Sequence, residues 1–481
     1  CSKACKPPTR MLALKMPGPI MLQRRYFRVV QRCASGYRGG VRCNGHRYLR
    51  LGQATVGVRC SRPLCSTRRG SAEEVRGLLL NRAAKLQLGV LLGSSVVLQL
   101  GIGAIVPCLP SFTSSLGLTE AHVGVVVAVP SLARACFNLP AGRLADVLGR
   151  KRPWIVGSLM DGLGCVATAA AGGLSSMVAA RFFMGSGSAV AGSAANAYEM
   201  DCIAKFAQHK GRILGVLQAG GALAWVLGPW IGGILAEHGS LALPFVLFGG
   251  LVLSTVPAVH YLLPETRPPT GTLASVELRP LLHDTAVSFR TLMRDPNQQA
   301  VSLMTAALFI GWSASLAVLP LYAASTWGSS PAELGQLYAA SSVLSIVGAP
   351  LGGVAADAIG RRPAIVAGST TVAAAFAALP FIESSAGLLG TMAVIGFGES
   401  FLMSSMAALS NDVTPAELRG SQSAMLSQVG DLTFVAMPVA LGILATHASY
   451  EAAFLSTSAL ILGSNVAFVA LARTAAAKRG H

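Results

Sequence analysis

Gly142-Arg143-Leu144-Ala145-Asp146-Val147-Leu148-Gly149-Arg150-Lys151 and Gly353-Val354-Ala355-Ala356-Asp357-Ala358-Ile359-Gly360-Arg361-Arg362 spell one pattern, G-x-x-x-D-x-x-G-R-[KR], 211 residues apart. Each copy lies between two long apolar runs. The same shift carries Gly185 and Gly187 onto Gly396 and Gly398, and Asp201 onto Asp412. The chain therefore reads as two related halves, each with a charged hairpin in the same place.

Of the 481 residues, 52% are hydrophobic and 12% charged. A soluble domain carries about a quarter charged residues, so most of this surface faces something other than water. Between Lys85 and Arg473 twelve apolar stretches reach spanning length, at about 20 residues each. They lie near 86–111, 121–145, 153–173, 175–198, 213–236, 242–263, 300–323, 333–356, 363–382, 386–410, 421–445 and 450–472, and are called spans 1 to 12. Loops after the odd-numbered spans hold no Lys or Arg but carry Glu120, Glu237, Glu333, Glu383 and Glu451. Loops after the even-numbered spans hold the basic residues, among them Arg150, Lys210, Arg267, Arg361 and Arg419. The positive-inside rule places both termini and the 264–299 loop on the cytoplasmic, or organelle-interior, side. Two related halves of six spans with charged hairpins are the layout of a secondary transporter.

The net charge of +18 belongs mostly to one end. Residues 1–72 hold sixteen Lys or Arg and no acid, which leaves only +2 for the rest. The excess is a tail and not a nucleic-acid-binding face. Its composition fits a mitochondrial or plastid transit peptide, a cytoplasmic tail drawn to anionic lipid, or untranslated sequence; no fixed structure is expected there. Six of the ten cysteines lie in this tail, and no C-x-x-C pair or matching His spacing points to zinc.

The paired hairpins resemble the conserved loop of the major facilitator superfamily, which joins helices 2–3 and 8–9. The resemblance covers residues 86–473. Gly142 and Gly149 allow a tight approach of backbone. Asp146 stands beside Arg150 and Lys151, where it can pair with them or with the positive end of a neighbouring helix. The second set is Gly353, Asp357, Gly360, Arg361 and Arg362. Both sets read as a conformational latch, or as purely topogenic charge. The superfamily places a basic residue directly after the Asp; Val147 and Ala358 stand there, which implies a weaker charge relay.

Span 5 reads Gly215, Ala224, then Gly228-Pro229-Trp230-Ile231-Gly232-Gly233. This resembles the antiporter signature of the drug:proton antiporters, with Ala224 replacing a glycine. Gly220, Ala224, Gly228 and Gly232 recur every four residues, so one helix face is bare and suits close packing. The resemblance implies that the Pro229 bend seals a leak path; ordinary small-residue packing is the alternative. Arg181-Phe182-Phe183-Met184-Gly185-Ser186-Gly187 is similar to the R-x-x-x-G-x-G of the same antiporters, where the Arg is tied to proton coupling, and Asp201 matches their following Asp. Leu263-Pro264-Glu265-Thr266 is a further, weaker resemblance.

Charges inside a bilayer are costly and mark functional sites. Glu399, in span 10, is a candidate protonatable or cation-binding site, since helices 1, 4, 7 and 10 line the cavity in the fold that the resemblance implies. Asp431 supports the bend at Met437-Pro438. Arg134 lies about 20 Å deep and Asp161 about 14 Å at 1.5 Å per residue, which predicts a buried Arg134–Asp161 pair.

The sequence thus predicts an all-α membrane protein of twelve transmembrane helices in two pseudo-symmetric six-helix bundles, the major facilitator fold. Its parts are an N-terminal extension (1–80), bundles at 81–263 and 300–473, a linker at 264–299 and a tail at 474–481. The expected function is proton-coupled export of a small organic or drug-like solute by alternating access, the chain acting as a monomer. Alternatives are an organelle-envelope metabolite facilitator or symporter, or a non-transporting sensor or scaffold. A mitochondrial or plastid membrane follows if residues 1–72 are a transit peptide, and otherwise the plasma or vacuolar membrane. No cofactor, metal or nucleic acid is expected, and the absence of a Walker pattern or nucleophile elbow argues against ATP drive and enzymatic hydrolysis.

Overall fold

The computed structural model describes residues 42–43, 46–51, 54–58, 82–204, 210–272 and 278–477. The chain divides into two units, Cys1–Arg82 and Ala83–His481. In the first, the described residues form three short antiparallel strands, Arg42–Cys43, His46–Leu51 and Ala54–Val58. The rest of that stretch, on which the expectations of a transit peptide and an unstructured extension depend, lies outside the described residues.

In the second unit a helix stands at each expected span. Span 1 is Arg82–Ile105, continued after a break by Cys108–Ser115; spans 2 to 6 are Glu120–Leu148, Lys151–Ala169, Leu174–Ala204, Lys210–His238 and Leu243–Leu262. Span 7 runs from Pro296–Ser313 through a π-helical turn, Ala314–Val318, into Leu319–Trp327. Spans 8 to 12 are Pro331–Ala358, Arg361–Ala378, Ser385–Val413, Arg419–His447 and Tyr450–Ala477. The 264–299 linker holds a further helix, Leu278–Leu292. Among the described residues ten helices are long and apolar enough to cross a membrane by length and composition. The helices at spans 3 and 4 fall outside that set; they carry Asp161 and Arg181 and are rich in Gly, Ala and Ser. Their small residues let the two backbones meet: a Cβ on Gly164 would lie 2.7 Å from the Met184 nitrogen.

The duplication seen in sequence is repeated in packing. Gly185 sits against Pro130 of span 2, and Gly396, 211 residues on, sits against Ser341 of span 8, the position equivalent to Pro130. Gly187 abuts Asp161 of span 3, and Gly398 abuts Val372 of span 9, again one shift apart. Even the helix starts correspond. Thr119 and His122 form a reciprocal cap on span 2, and Ser330 and Glu333 form one on span 8. Such caps satisfy backbone N–H groups that the first helical turn leaves without partners.

Both hairpins turn at the second glycine of the motif. Gly149 has φ +86° and Gly360 φ +100°, a region that side-chain-bearing residues avoid. Gly149 also admits the Glu265 carboxylate, which a Cβ would crowd at 2.8 Å. The expected tight approach at Gly142 is not made. Gly142 and its counterpart Gly353 have nothing within 4 Å of where a Cβ would stand. They lie at the basic ends of spans 2 and 8.

At the opposite, acidic face the halves meet along two seams. Span 2 crosses span 11 so closely that a Cβ on Gly124 would strike the Pro438 backbone, and one on Gly442 would lie 2.8 Å from the Glu120 carbonyl. The Glu120 carboxylate accepts from Tyr450 Oη at 3.2 Å. Span 5 meets span 8 in the same manner, Gly233 on Pro331 and Gly335 on Pro229. There Glu237 accepts from Ser330 Oγ at 2.7 Å and the Ala332 nitrogen at 3.1 Å.

Candidate functional site

Between the halves lies a cavity of about 260 Å³, lined from spans 1 to 7 and from span 11. Its walls are chiefly apolar and aromatic. The Phe309 and Trp312 rings stand 4.9 Å apart, Phe434 meets Phe309 edge-on at 6.1 Å, and Phe248 and Trp225 close the other side. Three charged side chains line it: Arg134, Asp161 and Arg181.

Arg134 does not pair with Asp161. Its Nε donates to Asp431 Oδ1 at 2.9 Å, across the interface between spans 2 and 11. Asn138 Nδ2 donates to the other Asp431 oxygen at 2.8 Å, and Gln428 Nε2 to the Ala135 carbonyl at 3.1 Å. Counting residues along two helices gives depth but not the direction each side chain takes, and Arg134 faces the partner half. Asp431 therefore belongs to a clasp between halves as well as to a bent helix.

Asp161 and Arg181 are buried, 8% and 7% exposed, and face one cavity without forming an ion pair. Among the described residues Asp161 has no hydrogen bond. Arg181 has only long contacts, Nε to the Val126 carbonyl at 3.5 Å and Nη1 to Met184 Sδ at 3.6 Å. Buried charges held without close partners are expensive.

Glu399 takes a different place from the one expected. Among the described residues span 10 contributes nothing to the cavity wall. Glu399 stands behind span 7, its Oε1 3.5 Å from where a Cβ on Gly311 would lie, and the adjoining Trp312 forms the wall. Among the described side-chain polar atoms fully sealed from solvent, Glu399 Oε1 and Ser315 Oγ lack a partner. Ser315 lies in the π-helical turn of span 7, just before Pro320, which cannot donate a backbone hydrogen bond. The Ser315 carbonyl is satisfied by the Tyr338 hydroxyl of span 8. Span 7 thus carries an irregular turn near an incompletely bonded carboxyl.

The two hairpins build related ion clusters of unequal strength. Arg150 donates to Asp146 at 2.7 Å and to Asp201 at 3.2 Å; Arg361 pairs with Asp357, and with Asp412 at 2.9 Å. Burial works against the charge on Arg150, but its hydrogen bonds to Asp146 and Asp201 outweigh this and hold the guanidinium above its ordinary pKa. Glu265, which sequence reading left as a weak resemblance, caps span 3 by accepting from the Arg150 and Lys151 nitrogens at 2.9 and 3.1 Å. Lys151 joins through that backbone donor. Arg267 adds a second cation on Asp146 at 2.9 Å, and Thr266 bonds Asp201. Arg362 instead reaches Asn297 at 3.0 Å. The signal for Glu265 was a helix starting at Arg150-Lys151 without an acid of its own. The Arg150 side chain is 10% exposed against 30% for Arg361. Arg150→Ala is accordingly expected to cost about 2 kcal/mol and Arg361→Ala clearly less, read as a larger loss of melting temperature in detergent for the first.

The span 5 motif packs on two partners. Gly220 meets Leu92 and Val96, Gly228 meets the Leu100 carbonyl, and Gly232 meets Ala104, so the bare face lies along span 1 at matching four-residue steps; Ala224 is buried within it. Gly233 turns to span 8 in the other half, and Pro229 touches both Gly103 and Gly335. Gly215 has open space around it.

Comparisons with known proteins agree with this architecture. The chain is 26% identical over 263 residues to Multidrug resistance protein 2 of Bacillus subtilis, covering 54% of this chain and 63% of that protein. It is 25% identical over 251 residues to the Quinolone resistance protein NorA of Staphylococcus aureus, covering 52% and 61%. The chain thus spans less than two thirds of the length of these curated relatives. A bacterial homologue of the human lysosomal transporter Spinster, in an inward-facing and occupied conformation, superposes with a TM-score of 0.67 at 13% identity, over 80% of this chain and 96% of that one. The sequence model of the Major Facilitator Superfamily matches residues 91–300 and 301–480. With its two halves matched in turn by that model and built as equivalent helical bundles around a shared cavity, the chain belongs to the Major Facilitator Superfamily and is an integral multi-pass membrane protein.

Proposed function

We propose that this protein is a proton-coupled antiporter that exports small amphipathic organic molecules by alternating access, a single chain enclosing the whole path. The observation that carries the reading is an asymmetry of glycines. At the acidic face Gly124, Gly442, Gly233 and Gly335 lie in backbone contact across the two seams. At the basic ends of the same four helices Gly142, Gly420, Gly215 and Gly353 have nothing within 4 Å. These are the seats that spans 2 and 11, and spans 5 and 8, take when the molecule tilts to close its basic face. The structure is then the state open to the basic side, from which an exporter loads.

The buried charges support proton coupling. Glu399 Oε1 has no partner, and its carboxyl lies beside the indole that walls the cavity. A solute pressing on Trp312 alters the surroundings of that carboxyl, so solute and proton bind at one another's expense. The aromatic walls suit a flat apolar body. The names of the Bacillus and Staphylococcus relatives support a drug-like cargo. Flux of ethidium, an aromatic cation, in proteoliposomes tests the reading. An opposing pH gradient is expected to accelerate ethidium export, and Glu399→Gln to remove that acceleration while leaving exchange of internal for external dye. Export indifferent to the gradient in the unmodified protein leaves a facilitator.

A further inference from the structure

The two halves differ at a place where duplication should make them alike. In the C-terminal half the space between spans 7, 9, 10 and 12 is a hydrophobic core containing Met304, Ile365, Leu402, Met406 and Phe468. The residues 211 positions earlier are Gly93, Trp154, Ala191, Ala195 and Pro257. Trp154 and Ala191 belong to an apolar cluster of their own, but with alanines in place of Leu402 and Met406 a crevice of about 90 Å³ lies beside it between spans 1, 3, 4 and 6. Its wall carries Ser94, Ser95, Ser158, Asn196, Glu199 and Thr255, polar groups that suit water rather than lipid.

Asp161 lines this crevice and the central cavity together. Its counterpart in the other half is Val372, so the fold itself does not require a carboxylate there. Glu199 lies near the basic end of span 4, and Asp161 lies about 15 Å along span 3 from Lys151 at 1.5 Å per residue. The charged groups nearest Asp161 are Arg181 of span 4 and Arg134 of span 2, the latter turned towards Asp431, with the Cys165 thiol one turn on along its own helix. The residues of spans 1 and 6 on the crevice wall are apolar or hydroxyl-bearing.

We propose that the crevice is a water-filled proton route joining Asp161 to the basic side, separate from the path of the solute, with Glu199 at its mouth. Asp161 takes a proton from water in the central cavity when that cavity opens to the acidic face. The neutral acid then returns the proton to water in the crevice, and the carboxylate is regenerated. The Arg181 guanidinium offers the carboxylate a nearby counter-charge against the cost of burial, and the alanines keep the route open. The inference rests on the proton-coupled reading above, but Asp161 can be followed whether or not that coupling drives transport.

Infrared difference titration of the full-length protein in liposomes provides the test, through the C=O stretch of a protonated carboxyl. We expect a titrating band that persists in Glu399→Gln and is lost in Asp161→Asn. Filling the crevice with the other half's residues, Ala191→Leu with Ala195→Met, is expected to slow hydrogen–deuterium exchange of that band roughly tenfold. Ala195→Met alone, expected to slow it less, serves if the double variant does not fold. A band unaffected by Asp161→Asn overturns the proposal, and so does exchange that stays as fast with the crevice filled.

Discussion

Arg134→Gln and Asp431→Asn are each expected to reduce transport about a hundredfold, the equivalent of about 3 kcal/mol, while the double variant recovers most of it. The reason is the asymmetry between removing one partner and removing both. Arg134 and Asp431 meet at 2.9 Å near the middle of spans 2 and 11, one from each half. Deleting Arg134 leaves the Asp431 carboxylate, 7% exposed, with only the neutral Asn138, and deleting Asp431 leaves Arg134 at the cavity wall with only Ser131. Replacing both leaves amides that still bond across the seam, and a neutral pair costs far less to hold there than a lone ion. Initial rates of dye export in proteoliposomes containing equal amounts of folded protein measure this. If the double variant is as inactive as the singles, the pair acts through charge itself and not through its role as a clasp.

The second large effect separates two glycines at opposite ends of the seams. Gly335 sits where a Cβ would meet the Pro229 backbone carbon at 3.1 Å and the Trp230 Cα at 3.2 Å. Gly335→Leu forces backbone from backbone and is expected to open the acidic face. Gly142 has free space around it, so Gly142→Leu is accommodated here without a clash and gains helix propensity. It nevertheless obstructs span 11 when the basic face closes, so transport is expected to fall as far as in Gly335→Leu. A shift of about 3 kcal/mol in the balance of the two states moves their ratio about a hundredfold. The variants should therefore differ in opposite directions when Ser188→Cys, on the cavity wall, is labelled by membrane-impermeant reagents. Gly335→Leu exposes it to the acidic side and Gly142→Leu keeps it exposed to the basic side. Equal labelling in both backgrounds would mean that these glycines do not set which face is open.

Much of this was legible in the chain because water and lipid enforce it. The charged hairpins had to lie at an interface, so their duplication revealed the two halves, and the 211-residue shift extends to the packing of Gly185 and Gly396. The bare face of span 5 named its own partner geometry, with Leu92, Leu100 and Ala104 arriving at the same spacing. What failed were statements that need rotation about a helix axis. Depth along the helices put Arg134 near Asp161, yet Arg134 turns to the other half. Glu399 was expected at the cavity and lies one aromatic ring behind it, because Trp312 of span 7 covers it. The π-helical turn beside Trp312 has no periodic signature. Spans 3 and 4 give a weak apolar signal for the reason that makes them useful: their charges and small residues face other helices and two cavities, and not lipid.

Distances between spin labels on the full-length protein in lipid nanodiscs test the central claim most directly. One pair joins Arg143 and Arg419 at the basic ends of spans 2 and 11; the other joins Ser114 and Thr326 at the acidic face, again one residue from each half. Two halves tilting about a central cavity must shorten the first distance as the second lengthens when the medium is acidified or ethidium is added. Distances that move together, or stay fixed while dye is being transported, would contradict it.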